Sequence, residues 1–240
     1  MSSSYLLILS YDGTRYFGWQ KTKTGPSIQE SLEQAIARIT QEQVLPEAAS
    51  RTDRGVHAEG QVASFTLQKT WDPPRLQQAL NGVLPFDIRV RQIKLVPASF
   101  HPTLQAKEKE YHYRVCLGEV QEPNWRHYSW HYRYPLNPLA MEQAASALLG
   151  LKDFQVFANE PEENPYCTLS LITYTPLERQ RLQISLKGDR FLYKMARNLV
   201  GTLLYIGSGK LPSSCIQSKD KKKIGMTAPA HGLFLHRVEY

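Results

Sequence analysis

The segment Glu110-Tyr111-His112-Tyr113-Arg114-Val115-Cys116-Leu117 decides the fold. Tyr111, Tyr113 and Val115 fall on one face and His112, Arg114 and Cys116 on the other, which is the period of a β-strand. It stands near the middle of a 240-residue chain, and the element order that precedes it begins again from it. Before it, residues 5–11 read as a buried strand. Ser27 with Glu30 is a capping box, and Ile28, Leu32, Ala35, Ile36 and Ile39 form one helical stripe. Strands are predicted at 44–50 and 60–67. Asp72-Pro73-Pro74 has the cap-then-proline form of a helix start, and that helix ends near Asn81-Gly82. Residues 88–96 form a strand whose apolar phase slips between Val90 and Ile93, which predicts a bulge.

After the segment, Asn137-Pro138 opens a helix that Gly150 stops. Residues 168–175 and 181–187 read as a strand pair, 192–206 as a helix and 231–239 as a closing strand. Each half is β-α-β-β-α-β, the split βαβ order. The expectation is an α+β protein of two fused ferredoxin-like halves, 1–104 and 105–240. They would share a mainly antiparallel sheet across a central cleft, with helices on one face. Residues 118–134 read as an ordered polar and aromatic loop. The lysine run 219–223 reads as a solvated loop or a phosphate contact.

Composition narrows the function classes. The chain is 42% hydrophobic and 21% charged, as packed globular proteins are. Its 29 Lys and Arg against 22 Asp and Glu leave a charge of +7, and with 10% aromatics this favours a polyanionic partner, nucleic acid above all. No window approaches the roughly 20 apolar residues of a membrane span, and residues 5–9 are too short for a signal peptide. Cys116, Cys167 and Cys215 are far apart and odd in number, so they form neither a disulfide framework nor a zinc knuckle. A reducing, cytoplasmic compartment is expected.

The chemistry centres on Ser50-Arg51-Thr52-Asp53-Arg54-Gly55-Val56-His57-Ala58. Flanking cations keep a carboxylate ionised, the glycine allows a tight turn or a close ligand approach, and such a carboxylate can be a nucleophile. An ordinary surface ion pair is the bland alternative. Arg197 is a second, independent clue. Leu192, Met195, Leu199 and Leu203 form one stripe of its helix, and Val200 and Leu204 lie beside it, so the helix is apolar nearly all round and buried. A buried guanidinium needs a hydrogen-bonded anion. Asp53 is the candidate partner, and a glutamate or a backbone carbonyl is the bland alternative. Tyr111 and Tyr113 read either as strand core or as a platform for an unpaired base.

Three patterns mislead. His57-Ala58-Glu59 matches the H-x-E element of zinc nucleobase deaminases, but the paired-cysteine element that completes their site is missing. His127 and His131 stand four apart in a pattern that is not helical, with no acidic residue between them. Gly207-Ser208-Gly209-Lys210 lacks the first glycine of a phosphate loop and reads as a helix C-terminus.

Taken together, these segments resemble the tRNA pseudouridine synthase A family over nearly the whole chain. The matching residues are Tyr11-Asp12-Gly13-Thr14 with Phe17-Gly18-Trp19-Gln20, Ser27-Ile28-Gln29 with Leu32-Glu33, and Arg51-Thr52-Asp53 with Gly55-Val56-His57-Ala58 and Gly60-Gln61-Val62. Lys109-x-Tyr111-x-Tyr113 follows, then Phe191-Leu192 with Met195 and Arg197-Asn198, then Gly232-Leu233 with Leu235 and Val238-x-Tyr240. Ser50 and Arg54 stand where the family usually has glycine and alanine, and Pro102-Thr103 where it usually has Ala-Arg. The missing arginine removes one expected RNA contact, and Arg54 is a candidate compensating charge.

The resemblance implies the pseudouridine synthase fold with a central basic cleft. It implies a homodimer that isomerises uridines 38, 39 and 40 of the tRNA anticodon stem-loop, with no cofactor and no metal. Asp53 would be the nucleophile and Arg197 its partner. Tyr111 would stack on the flipped uracil and serve as a proton donor or acceptor. Arg51 would hold the RNA backbone or fill the space left by the extruded base. The rival expectation is a catalytically idle RNA-binding protein of RRM-like topology, against which stands the absence of an RNP octapeptide.

Overall fold

A computed structural model describes residues 2–240. By contact density the chain divides into two units. One comprises residues 1–107 with 234–240, and the other residues 108–233. The sequence expectation drew the boundary at 104/105 and counted the closing strand with the second half. In the structure most of that strand belongs with the first unit.

The first unit is built on β1 (Ser3–Tyr11), β3 (His57–Leu67) and β4 (Ile88–Val96), with β1 pairing antiparallel to both of the others. β10 (Leu233–Glu239) runs parallel to β3, through Phe234 opposite His57 and Leu235 opposite Ala58. The strand expected at 44–50 shrinks to β2 (Glu47–Ala48). Pro46 has no N–H to give a ladder, and Ser50 bonds instead to the Gln61 side chain, whose Nε2 donates to the Ser50 carbonyl at 2.6 Å. The expected bulge in β4 is present. Ile8 faces Gln92 while Leu9 faces Val90, so Arg91 is the extra residue.

Helix α1 (Ile28–Thr40) is capped by Ser27, whose Oγ accepts the Glu30 N–H, and it buries Ile28, Leu32, Ala35 and Ile36. Helix α2 (Pro73–Val83) is capped by Asp72 and packs beside α1. Tyr5, Leu7 and Leu9 alternate with Leu6 and Ile8 along β1. The latter two join Ala49, Val62, Val96, Phe100 and Val238 in a second apolar cluster. Both faces of this sheet are therefore covered.

The second unit carries β5 (Glu108–Cys116), β8 (Tyr166–Leu177) and β9 (Arg181–Gly188), with β9 antiparallel to both neighbours. Two short strands were not foreseen. β6 (Trp130–His131) pairs parallel with β5 inside the expected loop, and β7 (Gly150–Asp153) extends the edge at β8. Helix α3 (Pro138–Leu148) is capped by Asn137, as its sequence predicts. Helix α4 (Met195–Gly207) starts three residues later than expected. Lys194 takes a left-handed φ of 61°, and Leu192 to Met195 form a turn closed by a 3.0 Å bond. The helix is buried along its length except at Arg197 and Tyr205. Gly209, with φ of 71°, follows its end, so the Gly207–Lys210 pattern is a helix C-terminus. The lysine run is a single 3-10 turn at Lys221–Lys223, and Lys221 turns inward to the Ala158 carbonyl and to Asn159 Oδ1 at 2.9 Å.

Candidate active site

In the first unit Asp53 sits on the loop between β2 and β3, and the chain around Tyr11 to Trp19 braces that loop. The Trp19 N–H donates to the Thr52 carbonyl at 3.0 Å, and the Gly55 N–H donates to the Tyr16 carbonyl at 3.3 Å. The buried Thr52 hydroxyl lies 2.9 Å from the Tyr11 hydroxyl, which also accepts from Gln61 at 3.2 Å. The Val56 N–H donates to the Asp53 carbonyl at 3.1 Å and closes the turn. Gly18 makes the closest approach. Its φ is +97°, and a Cβ there would overlap the Thr52 carbonyl. These bonds fix the Asp53 backbone and leave its half-buried side chain on the turn. Arg51 and Arg54 are exposed, and Arg54 lies over the Phe17 ring at 4.1 Å.

His57 continues the bracing. It is buried, stacks on Phe234 at 4.6 Å, and presents Nδ1 to the Gly13 N–H at 3.1 Å and to Asp12 Oδ1 at 3.2 Å. Thr103, where the family usually has arginine, donates its hydroxyl to the Ala48 carbonyl at 2.8 Å. It closes the backbone there and supplies no charge.

In the second unit Tyr111 lies on β5 opposite Leu186, is 5% exposed, and meets Phe191 edge-on at 4.9 Å. Tyr113 on the same face is fully buried and donates to the Pro229 carbonyl at 2.8 Å. Burial raises its phenol well above the usual range, opposed by Arg197. The core reading of strand tyrosines thus holds for Tyr113.

Arg197 occupies the first turn of α4. Its Nε donates to the Ala228 carbonyl at 2.7 Å, and its own carbonyl accepts the Ala228 N–H at 3.1 Å. The strand of chain at 225–228 is strapped across the helix. The Gly225 N–H donates to Thr202 Oγ1 at 3.0 Å, and the Thr227 hydroxyl donates to Asn198 Oδ1 at 2.5 Å. Asn198 in turn donates to the Phe157 carbonyl at 2.6 Å and to Asn159 Oδ1 at 2.8 Å. A Cβ on Gly201 would overlap the Met226 carbonyl. A backbone carbonyl is therefore one of the partners that the sequence offered for this guanidinium. His231 follows the strap, and burial lowers its imidazole pKa.

The groups with metal-ligating chemistry form carboxylate–imidazole pairs. Glu59 lies 2.7 Å from His236 in the first unit, and Glu110 lies 2.9 Å from His112 in the second. His131, one of the spaced pair read from the sequence, is bonded to the Gly118 carbonyl at 2.8 Å from a strand, not a helix.

Arg51 and Asp53 are thus brought onto one loop of the first unit, and Tyr111 and Arg197 into the second. Sequence reasoning missed the Gly18 clamp and the strap. The signal for the first was present, because Gly18 and Trp19 belong to the segment that resembles the family.

A model of the tRNA pseudouridine synthase family matches residues 7–103 and 144–240, spans that contain Arg51, Asp53 and Arg197 but not Tyr111. The chain is 46% identical to tRNA pseudouridine synthase A 2 of Protochlamydia amoebophila (strain UWE25), over 98% of this chain and 93% of that protein. It is 41% identical to tRNA pseudouridine synthase A of Thermoanaerobacter sp. (strain X514), over 98% of each. Among solved structures, the archaeal box H/ACA sRNP Nop10-Cbf5 complex is similar at 12% identity. Its TM-score is 0.36, over 83% of this chain and 44% of that one. The chain belongs to the tRNA pseudouridine synthase family.

Proposed function

We propose that the protein isomerises uridines 38, 39 and 40 of the tRNA anticodon stem-loop to pseudouridine, as a homodimer and without metal or cofactor. Isomerisation breaks the N1–C1′ bond, rotates the base and forms C5–C1′. The C5 proton leaves and N1 gains one. No hydrolytic water is activated, so one carboxylate suffices where a glycosidase would use two. Asp53 is the nucleophile in this reading, and attack on the uracil, attack on the sugar and abstraction of a sugar proton remain its three candidate paths. Arg197 is its counter-charge. Tyr111 stacks on the flipped uracil, and Arg51 holds the RNA backbone or fills the gap left by the base. Flipping costs a few kcal/mol, which stacking and phosphate contacts offset.

The observation that carries this reading is the hold on the RTD loop. Trp19, Tyr11 and Gly18 fix Thr52, the residue before Asp53, so the backbone that carries the carboxylate is held in place. The test is tritium release from 5-³H-uridine tRNA, which reports loss of the C5 hydrogen. Asp53→Asn is expected to abolish release while tRNA binding persists. Full turnover by that variant would exclude Asp53 as nucleophile. A wild-type protein that binds tRNA but releases no tritium would favour the idle RNA-binding rival.

A further inference from the structure

Lys109 opens the Lys109-x-Tyr111-x-Tyr113 pattern, and no role above uses it. It is 8% exposed and lies on β5 opposite Gly188. Among the described residues, no acceptor lies within hydrogen-bond or ion-pair distance of its ammonium. The nitrogen is nevertheless not sealed away. The one sealed side-chain polar atom without a partner, among the described residues, is Glu33 Oε1. Lys109 therefore has a buried stem and a largely desolvated ammonium that keeps some contact with solvent and has no hydrogen-bond partner among the described residues.

Arg190, two residues beyond Gly188, is half-buried, and its side chain also makes no hydrogen bond or ion pair among the described residues. The acid between them, Asp189, attracts Lys109. Its Oδ1 is already taken by the N–H groups of Thr168 at 2.8 Å and Arg190 at 2.6 Å. Burial first, and Arg190 second, hold the Lys109 pKa below its usual value. An ammonium kept in such a place without a counter-ion is costly, and the cost is removed when an anion arrives. Lys109 and Tyr111 are two residues apart on one strand face, about 7 Å. Phe191, against which Tyr111 packs, follows Arg190 directly.

We propose that Lys109 and Arg190 bind an RNA backbone phosphate beside the nucleotide that Tyr111 receives. This rests on the functional reading above. Two cations and one carboxylate leave a net +1, which matches the single charge of a phosphodiester better than the nearly double charge of free phosphate. Lysine supplies a point charge and arginine a planar fork, a fitting pair of donors for phosphate oxygens.

The experiment measures tRNA binding against salt concentration for wild type, Lys109→Met, Arg190→Gln and the double variant. Methionine keeps the length and burial of the stem, and the melting temperature checks that each variant folds. The slope of log affinity against log salt is expected to become shallower by about 0.7 to 0.9 in each single variant, with no further change in the double. A methylphosphonate at one phosphate next to the target uridine should weaken wild type roughly threefold or more at low salt and leave Lys109→Met indifferent. Unchanged slopes in both single variants would overturn the assignment. So would inorganic phosphate raising the melting temperature of wild type but not of Lys109→Met while RNA binding stays equal, because the site would then serve a free anion. If wild type neither binds nor isomerises tRNA, the functional reading falls and this inference with it. If wild type isomerises tRNA and the variants bind as it does, only the phosphate site falls.

Discussion

The loop that carries Asp53 and the helix turn that carries Arg197 are secured by different means. In the first unit the main chain does most of the holding. Trp19 and Tyr16 bond to backbone partners around the loop, and Gly18 lets two backbones meet. In the second unit side chains do most of the holding, beside one main-chain bond from the Ala228 N–H to the Arg197 carbonyl. Asn198 and Thr202, both buried, pin residues 225–228, whose Ala228 carbonyl takes the Arg197 Nε. A loop fixed by backbone contacts is vulnerable to added atoms, and a guanidinium fixed through a polar network is vulnerable to removed ones.

The largest effect should come from breaking the first arrangement. Gly18→Ala adds a Cβ against the Thr52 carbonyl at a left-handed backbone position. Strain and overlap together cost about 3 kcal/mol, so thermal unfolding should move down by about 6–12 °C and tritium release should be lost. A variant that melts and turns over like wild type would show that the loop needs no clamp.

The second arrangement should break more mildly. Thr202→Val leaves the Gly225 N–H without its acceptor, at about 1–3 kcal/mol, and Thr202→Ser should restore most of it. Single-turnover assays should show a slower rate with tRNA affinity kept. The same loss measured on an Arg197→Lys background would mean that Thr202 does not act through Arg197, because coupled residues are non-additive.

Smaller still is Tyr113→Phe, which removes the donor to the Pro229 carbonyl and should cost about 1 kcal/mol at neutral pH. Its value lies in the pH profile. The folded-state pKa of Tyr113 is raised, so above about pH 10 the folded protein retains a proton that the unfolded chain releases, and stability falls as pH rises. Denaturant titrations from neutral to alkaline pH should show a shallower decline in Tyr113→Phe than in wild type. The smallest change is expected at Thr103→Val, an exposed hydroxyl bonded to the Ala48 carbonyl. Its effect on stability by denaturant unfolding should stay within about 0.5 kcal/mol.

Much of the fold was legible because its signals are local. Ser27, Asp72 and Asn137 mark helix starts by their own side-chain bonds. The phase slip at Val90 and Ile93 records the bulge directly, and the apolar surround of Arg197 announces a buried helix. What escaped depends on partners distant in sequence. β7 is exposed along all four residues, so it carries no apolar alternation to read. The strap over α4 is invisible until Gly225 and Thr227 are seen against Thr202 and Asn198. Lys109 looked like an ordinary motif residue, since the lack of an acceptor is a fact of space.

One topological detail has a consequence for synthesis. Residues 234–240 supply a strand parallel to β3, yet they are translated after the whole of the second unit. On a ribosome the contiguous stretch 108–233 can finish folding while the first unit still waits for its last strand, although domains usually complete in N-to-C order. Until Phe234 and Leu235 emerge, the edge of β3 at His57 and Ala58, four residues beyond Asp53, stays open to a holding chaperone or to a wrong strand. The RTD loop would then gain its flanking strand only after the second unit has been made.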